Sequence, residues 1–514
     1  MDKKTTYILV AVVAIIVVAA AAFVMTQGSN DGPKEGQDAK KNIADLTDYL
    51  KEMYNTSDAE YPARLLVLGN ADLDDDLDAN DLAIVKRVAA TTDYDYVKNF
   101  FCDANYDGLI NDADVKLVEK MIAKDSEGKY TYNDIAYYVD CDFVVSKYHM
   151  DWPLHTSNIL TQTLEMLCIL QVDIVAVDDR VANSYISPSA DNGTYWKEFA
   201  GVLNYPTKPE DLGPDGKADI GATGSYRQIS SEQYLQVARE YGDGYLTAVM
   251  NSRYSRGTEY LEGQLEGTNV QLIRIQSWER GGVCNGMLTL GYLFHKYDRA
   301  ADWVSWHDSY YNAIMEKVAA IPDSERVGAI IAVLSDTDNA SKDTFDMMGA
   351  TSGEYQNLKK MGIIDVTGEY LKSIGASPQW SVTVNKEVLA QIYKDYKFKY
   401  FIGTFTGPYN ISPFNPDRAV ADVIYQQTED YINEYCSGDV TLQLFGWIYS
   451  TGPHEMTYIA GLANVLYGWD EFDIKKITEE SLEWMGILDK DGTKGEYYYA
   501  FEDIIDTMMW PNAY

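Results

Sequence analysis

Oxygen-bearing side chains recur at one fixed spacing twice near the N-terminal end of the chain. The first run is N-A-D-L-D-D-D-L-D-A-N-D, from Asn70 to Asp81, and the second is D-A-N-Y-D-G-L-I-N-D-A-D, from Asp103 to Asp114. Taken as twelve-residue loops, both place a carboxylate or amide oxygen at positions 1, 3, 5, 9 and 12: Asn70, Asp72, Asp74, Asp78 and Asp81, then Asp103, Asn105, Asp107, Asn111 and Asp114. Position 7, Asp76 in one loop and Leu109 in the other, adds a backbone carbonyl. Such a set wraps one hard cation, since Ca2+ takes about 6–8 oxygens at about 2.3–2.6 Å. The expectation is two calcium sites, the second the tighter. Loop one opens on Asn70 rather than Asp and holds Asp75 at position 6, where Gly108 in loop two relieves a left-handed turn.

Each loop feeds an apolar-periodic helix, D-L-A-I-V-K-R-V-A after the first and D-V-K-L-V-E-K-M-I-A after the second. A merely solvated acidic linker has no need of two matched amphipathic helices. The duplicated unit, residues 63–124, resembles the type I dockerin family, including the Asp at position 12 (Asp81, Asp114) and the run from Leu82 to Lys86 and Arg87. The resemblance implies a small all-α domain that folds on two Ca2+ and, in the family, plugs into a cohesin domain. A calcium-stiffened spacer without a cohesin partner is the other use of such a module.

The rest of the chain bounds what surrounds these loops. With 514 residues there is room for several domains. A formal net charge of −37 leaves no basic patch to displace counterions from phosphates, which argues against nucleic acid. The 41 Tyr and 10 Trp suit flat or carbohydrate-like ligands. Cys102, Cys141, Cys168, Cys284 and Cys436 are odd in number and widely spaced, which argues against a disulfide framework and against a zinc site. There is no P-loop, no G-x-S-x-G and no H-E-x-x-H, so no enzyme is expected. The five histidines do not cluster; His295 and His307 read as structural, while His155 and His454 lie beside Pro153 and Pro453 near expected strand ends.

At the N-terminus, Lys3 and Lys4 precede an apolar stretch from Tyr7 to Met25. That length crosses most of a hydrocarbon core of about 30 Å. The expectation is a cytoplasmic tail at 1–6, a transmembrane anchor at 7–26 and, by the positive-inside rule, the bulk of the chain extracellular on a cell membrane; a cleaved signal peptide is the alternative. Residues 27–62 read as a polar tether with a short helix near 43–54.

From about residue 129 short apolar strands alternate with helices: V-D-I-V-A-V, Y-L-T-A-V-M, V-Q-L-I-R-I, V-G-A-I-I-A-V-L and Y-F-I-G-T-F, with T-Q-T-L-E-M-L-C-I-L and E-Y-L-E-G-Q-L between them. That alternation predicts an α/β fold with parallel sheets covered on both faces. It occurs on both sides of a stretch from Gly282 to Ile321 with helical periodicity and no strong breaker. The expected organisation is two Rossmann-like lobes, 129–281 and 322–514, joined by one long backbone helix over 282–321.

This layout resembles the helical-backbone (class III) substrate-binding proteins of ABC importers for iron–siderophore, haem and cobalamin. The matching runs, in order, are T-Q-T-L-E-M-L-C-I-L-Q-V-D-I-V-A-V-D-D with Glu165, G-A-T-G-S-Y-R-Q-I-S-S-E-Q-Y-L, N-G-M-L-T-L-G-Y-L-F, I-P-D-S-E-R-V-G-A-I-I-A-V-L, S-G-E-Y-Q-N-L-K-K-M-G-I-I-D-V and H-E-M-T-Y-I-A-G-L-A-N-V-L-Y-G-W-D-E-F-D. The resemblance implies capture of an iron chelate, haem or corrinoid for an importer permease, with the ligand identity open. Ligands of open α/β sheets bind at the carboxyl ends of the strands. The candidates there are Asn158, Tyr226, Arg227, Arg253 and Trp278 in lobe one and Trp380, Thr404 and Phe405 in lobe two, with Tyr226 foremost. Glu259 is the lobe-one carboxylate that the resemblance turns toward the permease. The competing reading is a cell-surface assembly or adhesion protein recruited through dockerin–cohesin pairing.

Overall fold

The computed structural model describes residues 65–124, 130–138, 146–159, 161–178, 221–223, 229–251, 260–275, 282–334, 344–349, 352–376, 380–405, 418–436, 439–446, 451–488 and 509–510, with 128, 202–203 and 277 besides. The segment 7–26 and the helix expected near 43–54 lie outside the described residues. No helix among the described residues is long and apolar enough to cross a membrane. The longest described helix, Tyr297–Ala319, carries Asp298, Arg299, Asp302, Asp308, Glu316 and Lys317 along its length. The expected localisation on a cell membrane with an extracellular body is corrected on this ground: no described helix could hold the chain there.

The N-terminal unit is built by its loops. Helix α1 (Ala79–Ala89) starts where the Asp78 side chain accepts from Asn80 N and Asp81 reaches back to the cap backbone. Helix α2 (Asp112–Ile122) repeats this with Asn111 and Asp114. Loop positions 9 and 12 thus double as the two halves of a capping box, which satisfies helix-end amides that otherwise have no partner. Val85, Val88, Leu117, Val118 and Met121 turn inward and meet Phe100, Phe101 and the buried run Leu65–Leu68.

This unit does not hang apart as a bead. Its apolar side chains belong to one core with Leu164, Leu167, Met287, Leu288, Tyr292 and Trp303 of the body. Leu66 N donates to Asn285 Oδ1 at 3.2 Å, the Tyr292 hydroxyl donates to the Met121 carbonyl at 3.4 Å, and the Tyr297 hydroxyl donates to the Asp75 carbonyl.

Next comes an antiparallel hairpin that the sequence did not announce, β1 (Asp134–Tyr137) with β2 (Ser146–His149). Gln271 Oε1 accepts from His149 N and so ties the hairpin to the lobe-one sheet. That sheet holds β3 (His155–Ile159), β4 (Asp173–Val177), β5 (Gly221–Ala222), β6 (Leu246–Asn251) and β7 (Val270–Ile275), all parallel, in the order β5-β4-β3-β6-β7. Helices α3 (Thr161–Leu170), α4 (Ser231–Tyr241) and α5 (Tyr260–Leu265) make the connections. Chain order runs outward from β3 in both directions, so the topological switch point lies at the carboxyl end of β3.

The single helix expected over 282–321 is two. Helix α6 (Gly282–Leu293) is buried throughout, and α7 (Tyr297–Ala319) follows a sharp turn. His295 takes φ +56° there, and Lys296 N closes the turn onto the Gly291 carbonyl. A side chain on Gly291 would collide with Ala300 Cβ at 2.3 Å, so this glycine is what lets α7 fold back against α6.

Lobe two contains β8 (Gly328–Leu334), β9 (Thr344–Met348), β10 (Ile364–Asp365), β11 (Ser381–Asn385), β12 (Tyr400–Phe405), β13 (Thr441–Gly446) and β14 (Met509–Trp510). Its main path is β11-β9-β8-β12-β13-β14, with β10 beside β8. The expected all-parallel sheet is corrected to a mixed one, because β9 runs antiparallel to β8 and β14 antiparallel to β13. Around it lie α8 (Gly353–Lys360), α9 (Val366–Ser373), α10 (Lys386–Tyr396), α11 (Arg418–Tyr435), α12 (Glu455–Tyr467) and α13 (Ile474–Trp484). After α13, Met485, Ile487 and Leu488 pack into the lobe-one core.

Candidate functional site

Two places combine burial with polar chemistry. The first is the pair of acidic loops. In loop two, Asp103 Oδ1 accepts from Asp107 N at 3.1 Å and Oδ2 from Gly108 N at 2.9 Å, while Asp107 Oδ1 accepts from Leu109 N at 2.9 Å. These bonds draw the backbone around the carboxylates. Gly108 takes φ +89°, the left-handed turn expected at position 6; Asp75, its counterpart in loop one, stays out of that region, and the two loops differ in shape there.

The carboxyls within the loops are hard to ionise as they stand. Burial pushes Asp103 up to about 7, with the Tyr96 hydroxyl at 2.6 Å pulling the other way and the Asp114 charge adding to the rise. Burial pushes Asp81 up to about 7 and Asp114 up to about 6. In loop one the Asn70 amide nitrogen donates to the Leu65 and Asp74 carbonyls, and its buried Oδ1 has no hydrogen-bond partner. An orphaned acceptor at position 1 and three buried carboxyls short of counter-charge fit a hard cation in each loop.

The second place is the junction of the lobes. Helix α3 begins directly after β3, at the switch point of lobe one. The short 3-10 turn Gly452–His454 follows β13 of lobe two and packs against that same end of α3. Gln162 Nε2 donates to Thr451 Oγ1 at 3.4 Å, and a side chain on Gly452 would strike Gln162 Cγ at 2.5 Å. The carboxyl ends of the two sheets therefore meet here. Below this contact His454, fully buried, lies 3.7 Å from the Glu165 carboxyl and 3.3 Å from Ser481 Oγ. Burial pulls His454 down to about 3, so the ring is neutral; at 3.7 Å Glu165 is too distant for the hydrogen bond that would reverse this.

A pH dependence follows. An unfolded His454 titrates near 6.5 and the folded one near 3. Between these values the unfolded chain binds the extra proton, so stability falls as pH drops, by at most about 1.4 kcal/mol per pH unit. Denaturant unfolding at pH 7, 6 and 5 in saturating calcium should show this slope in the parent and a flatter one in His454→Asn. Equal slopes would refute it.

Half of the expected ligand contacts, Tyr226, Arg227, Arg253 and Trp278, lie outside the described residues, as does Glu259. Asn158 sits on β3 at the switch point and pairs with Val249. Phe405 ends β12 beside Leu334, the last residue of β8. Thr404 is fully buried inside the sheet, with its hydroxyl against the Ala332 carbonyl. Trp380 is half-buried on the lobe-two core, and its carbonyl accepts from Gly349 N. Sequence reasoning missed Gln162, Thr451 and Ser481, which no local spacing connects. A hollow of about 420 Å3 beside Asp173, Gln171 and Gly486 opens at the amino end of β4, away from the junction.

No protein-family model and no curated protein matches the chain. Solved structures similar to it include the TroA-like periplasmic binding protein FepB from Veillonella parvula, with 10% identity and a TM-score of 0.48, covering 66% of this chain and 93% of that one. A periplasmic heme binding protein from Pseudomonas aeruginosa matches with 13% identity and a TM-score of 0.39, covering 61% and 93%. The siderophore binding protein FhuD from Vibrio cholerae, solved with Fe3+-Desferal, matches with 11% identity and a TM-score of 0.36, covering 61% and 98%. These are binding proteins, not enzymes.

Proposed function

We propose that the chain is the substrate-binding protein of an ABC importer, taking an iron chelate, haem or corrinoid between its two lobes. The observation that carries this is the meeting of the lobes at α3 and the Gly452–His454 turn. It sets the switch point of one parallel sheet against the carboxyl edge of the other, where ligands of such sheets bind. Helix α6, buried throughout, and α7, folded back against it, connect the two lobes, which favours a small closing motion. The six sequence runs in family order support the same reading.

The test is a titration of purified protein with hemin, a ferric hydroxamate and cobalamin, followed by absorbance and tryptophan fluorescence. One of them should bind saturably at one equivalent; indifference to all three would remove the reading. An aromatic side chain stacked on a flat chelate is worth roughly 0.5–1.5 kcal/mol beyond area burial. Tyr226→Ala should therefore weaken binding about two- to tenfold by the same measure and leave the melting temperature unchanged. Unaltered affinity would move the lobe-one contact elsewhere.

The acidic loops bind two calcium ions in this reading, through Asn70, Asp72, Asp74, Asp78 and Asp81, and through Asp103, Asn105, Asp107, Asn111 and Asp114, with the Asp76 and Leu109 carbonyls. The bonds from the module to Asn285, Tyr292 and Tyr297 favour a structural role for it over recruitment of a cohesin.

A further inference from the structure

Helix α7 folds back on α6 and brings three chemically unlike side chains together. Cys284, in the first turn of α6, has its Sγ 3.4 Å from His307 Nδ1 and 3.9 Å from Asp308 Oδ1. His307 Nδ1 and Asp308 Oδ1 are themselves 3.3 Å apart. A tetrahedral centre has metal–sulfur bonds of about 2.3 Å and metal–nitrogen or –oxygen bonds of about 2.0–2.2 Å, so its ligand edges measure about 3.5 Å from sulfur and about 3.3 Å between nitrogen and oxygen. The three observed edges match within a few tenths of an ångström. Of the groups this tight among the described residues, the other, Asp76 with Asp78 and Asp81, belongs to loop one.

The surroundings of His307 are those of a metal-bound imidazole. Its far nitrogen, Nε2, is 3.1 Å from Glu455 Oε1, and Glu455 Oε2 in turn accepts from Asn357 Nδ2 at 3.2 Å. A carboxylate on the far nitrogen fixes the tautomer that leaves Nδ1 free to ligate. The Tyr311 ring stacks on His307 at 5.7 Å and Trp303 flanks it at 5.4 Å, which holds the ring plane. Cys284 and His307 are each 4% exposed and Glu455 3%, whereas the Asp308 side chain is 21% exposed and marks the way in. Sulfur, nitrogen and oxygen donors are thus turned to one point, the mixed set that a borderline-soft cation takes.

We infer that Cys284, His307 and Asp308 hold one thiophilic divalent cation of the zinc class. Three protein ligands leave the fourth position to water on the Asp308 side. The ion ties α6 to α7, and Glu455 of α12 joins the same network from lobe two, so the site staples the joint on which the lobes are mounted. This is independent of the cleft ligand and of the calcium loops.

The test uses the full chain, stripped with EDTA, returned to calcium to fill the oxygen loops, and titrated with Co2+. One equivalent should produce a thiolate-to-cobalt charge-transfer band in the near ultraviolet and the intense visible bands of a tetrahedral centre; Zn2+ should abolish both. Cys284→Ser should lose the charge-transfer band, Cys436→Ser should keep it, and Asp308→Asn should keep it with affinity reduced about tenfold or more. No such band in the parent, or a band that survives Cys284→Ser, overturns the inference, because the trio is then a thiol–imidazole pair with a carboxylate beside it. Where Cys284→Ser fails to fold, Asp308→Asn decides: unchanged Co2+ affinity in that variant overturns it equally.

Discussion

Chelating calcium from the full chain should lower the melting temperature of lobe one along with that of the acidic loops. The two share a core: Leu65–Leu68, Val118 and Met121 pack in one cluster with Leu167, Met287 and Leu288, and three hydrogen bonds cross from the module to α6 and α7. A cation present at a thousandfold over its Kd adds about 4 kcal/mol per site. For a unit of about 150–250 residues each kcal/mol moves the midpoint about 2–4 °C. Asp107→Ala and Asp114→Ala should cost more than Asn70→Ala, since a carboxylate contributes charge and an amide does not. The effect also has a sign in pH. The folded carboxyls of Asp81 and Asp103 are raised to about 7 and that of Asp114 to about 6. Without a cation their contribution is full below the ordinary carboxylate range and is lost as pH rises through those values. The calcium-dependent gain should therefore be small at pH 5 and large at pH 8. Calorimetry with EDTA and with calcium at both pH values checks it. An unchanged midpoint, or a small separate transition with the body unmoved, would sink the prediction.

The parts of the fold legible in the sequence were those whose burial made them uniform. Gly328–Leu334 is buried on both faces and appears as an unbroken apolar run, and Val270–Ile275, equally buried, is apolar but for Gln271 and Arg274; each is a strand where expected. The central lobe-one strand was not legible, because it reads His155, Thr156, Ser157, Asn158. Thr156 and Ser157 are fully buried all the same, and the Thr156 hydroxyl is satisfied by the Asp173 carbonyl. The break between α6 and α7 was hidden because neither Pro nor Gly stands at the turn; His295 itself adopts the left-handed conformation. The acidic loops offered themselves as a candidate site because all their oxygens lie within one short stretch. The junction and the Cys284 site were not, since Glu165 with His454 and Cys284 with His307 are joined only by the fold. The wide spacing of the cysteines pointed away from a metal for the same reason.

Glu262→Ala should cost about 3 kcal/mol of stability in lobe one. Arg274 of β7 is completely buried, and its guanidinium is held in two-point contact by Glu262 of α5, with Nη1 also 3.0 Å from Met250 Sδ. Removing one partner of a buried ion pair costs about 3–5 kcal/mol, because the other charge loses its counter-charge. The low end applies here, as the Glu262 side chain is 25% exposed and already partly solvated. The pair is a clamp rather than a source of net stability, so Glu262→Leu with Arg274→Met should recover most of the loss. The clamp also has a positional role. It pins α5 to β7, and α5 follows in sequence on residues 252–259, which include the candidates Arg253 and Glu259. Denaturant unfolding of the parent, the single variant and the double variant checks the energy. A single variant within about 1 kcal/mol of the parent, or a double variant no better than the single, would show that Glu262 is not the counter-charge Arg274 depends on. Ligand titration on the refolded double variant then separates the two roles. Restored stability with weakened binding means that the placing of α5 needs the guanidinium–carboxylate geometry itself, while restored binding means that filling the space between α5 and β7 is enough.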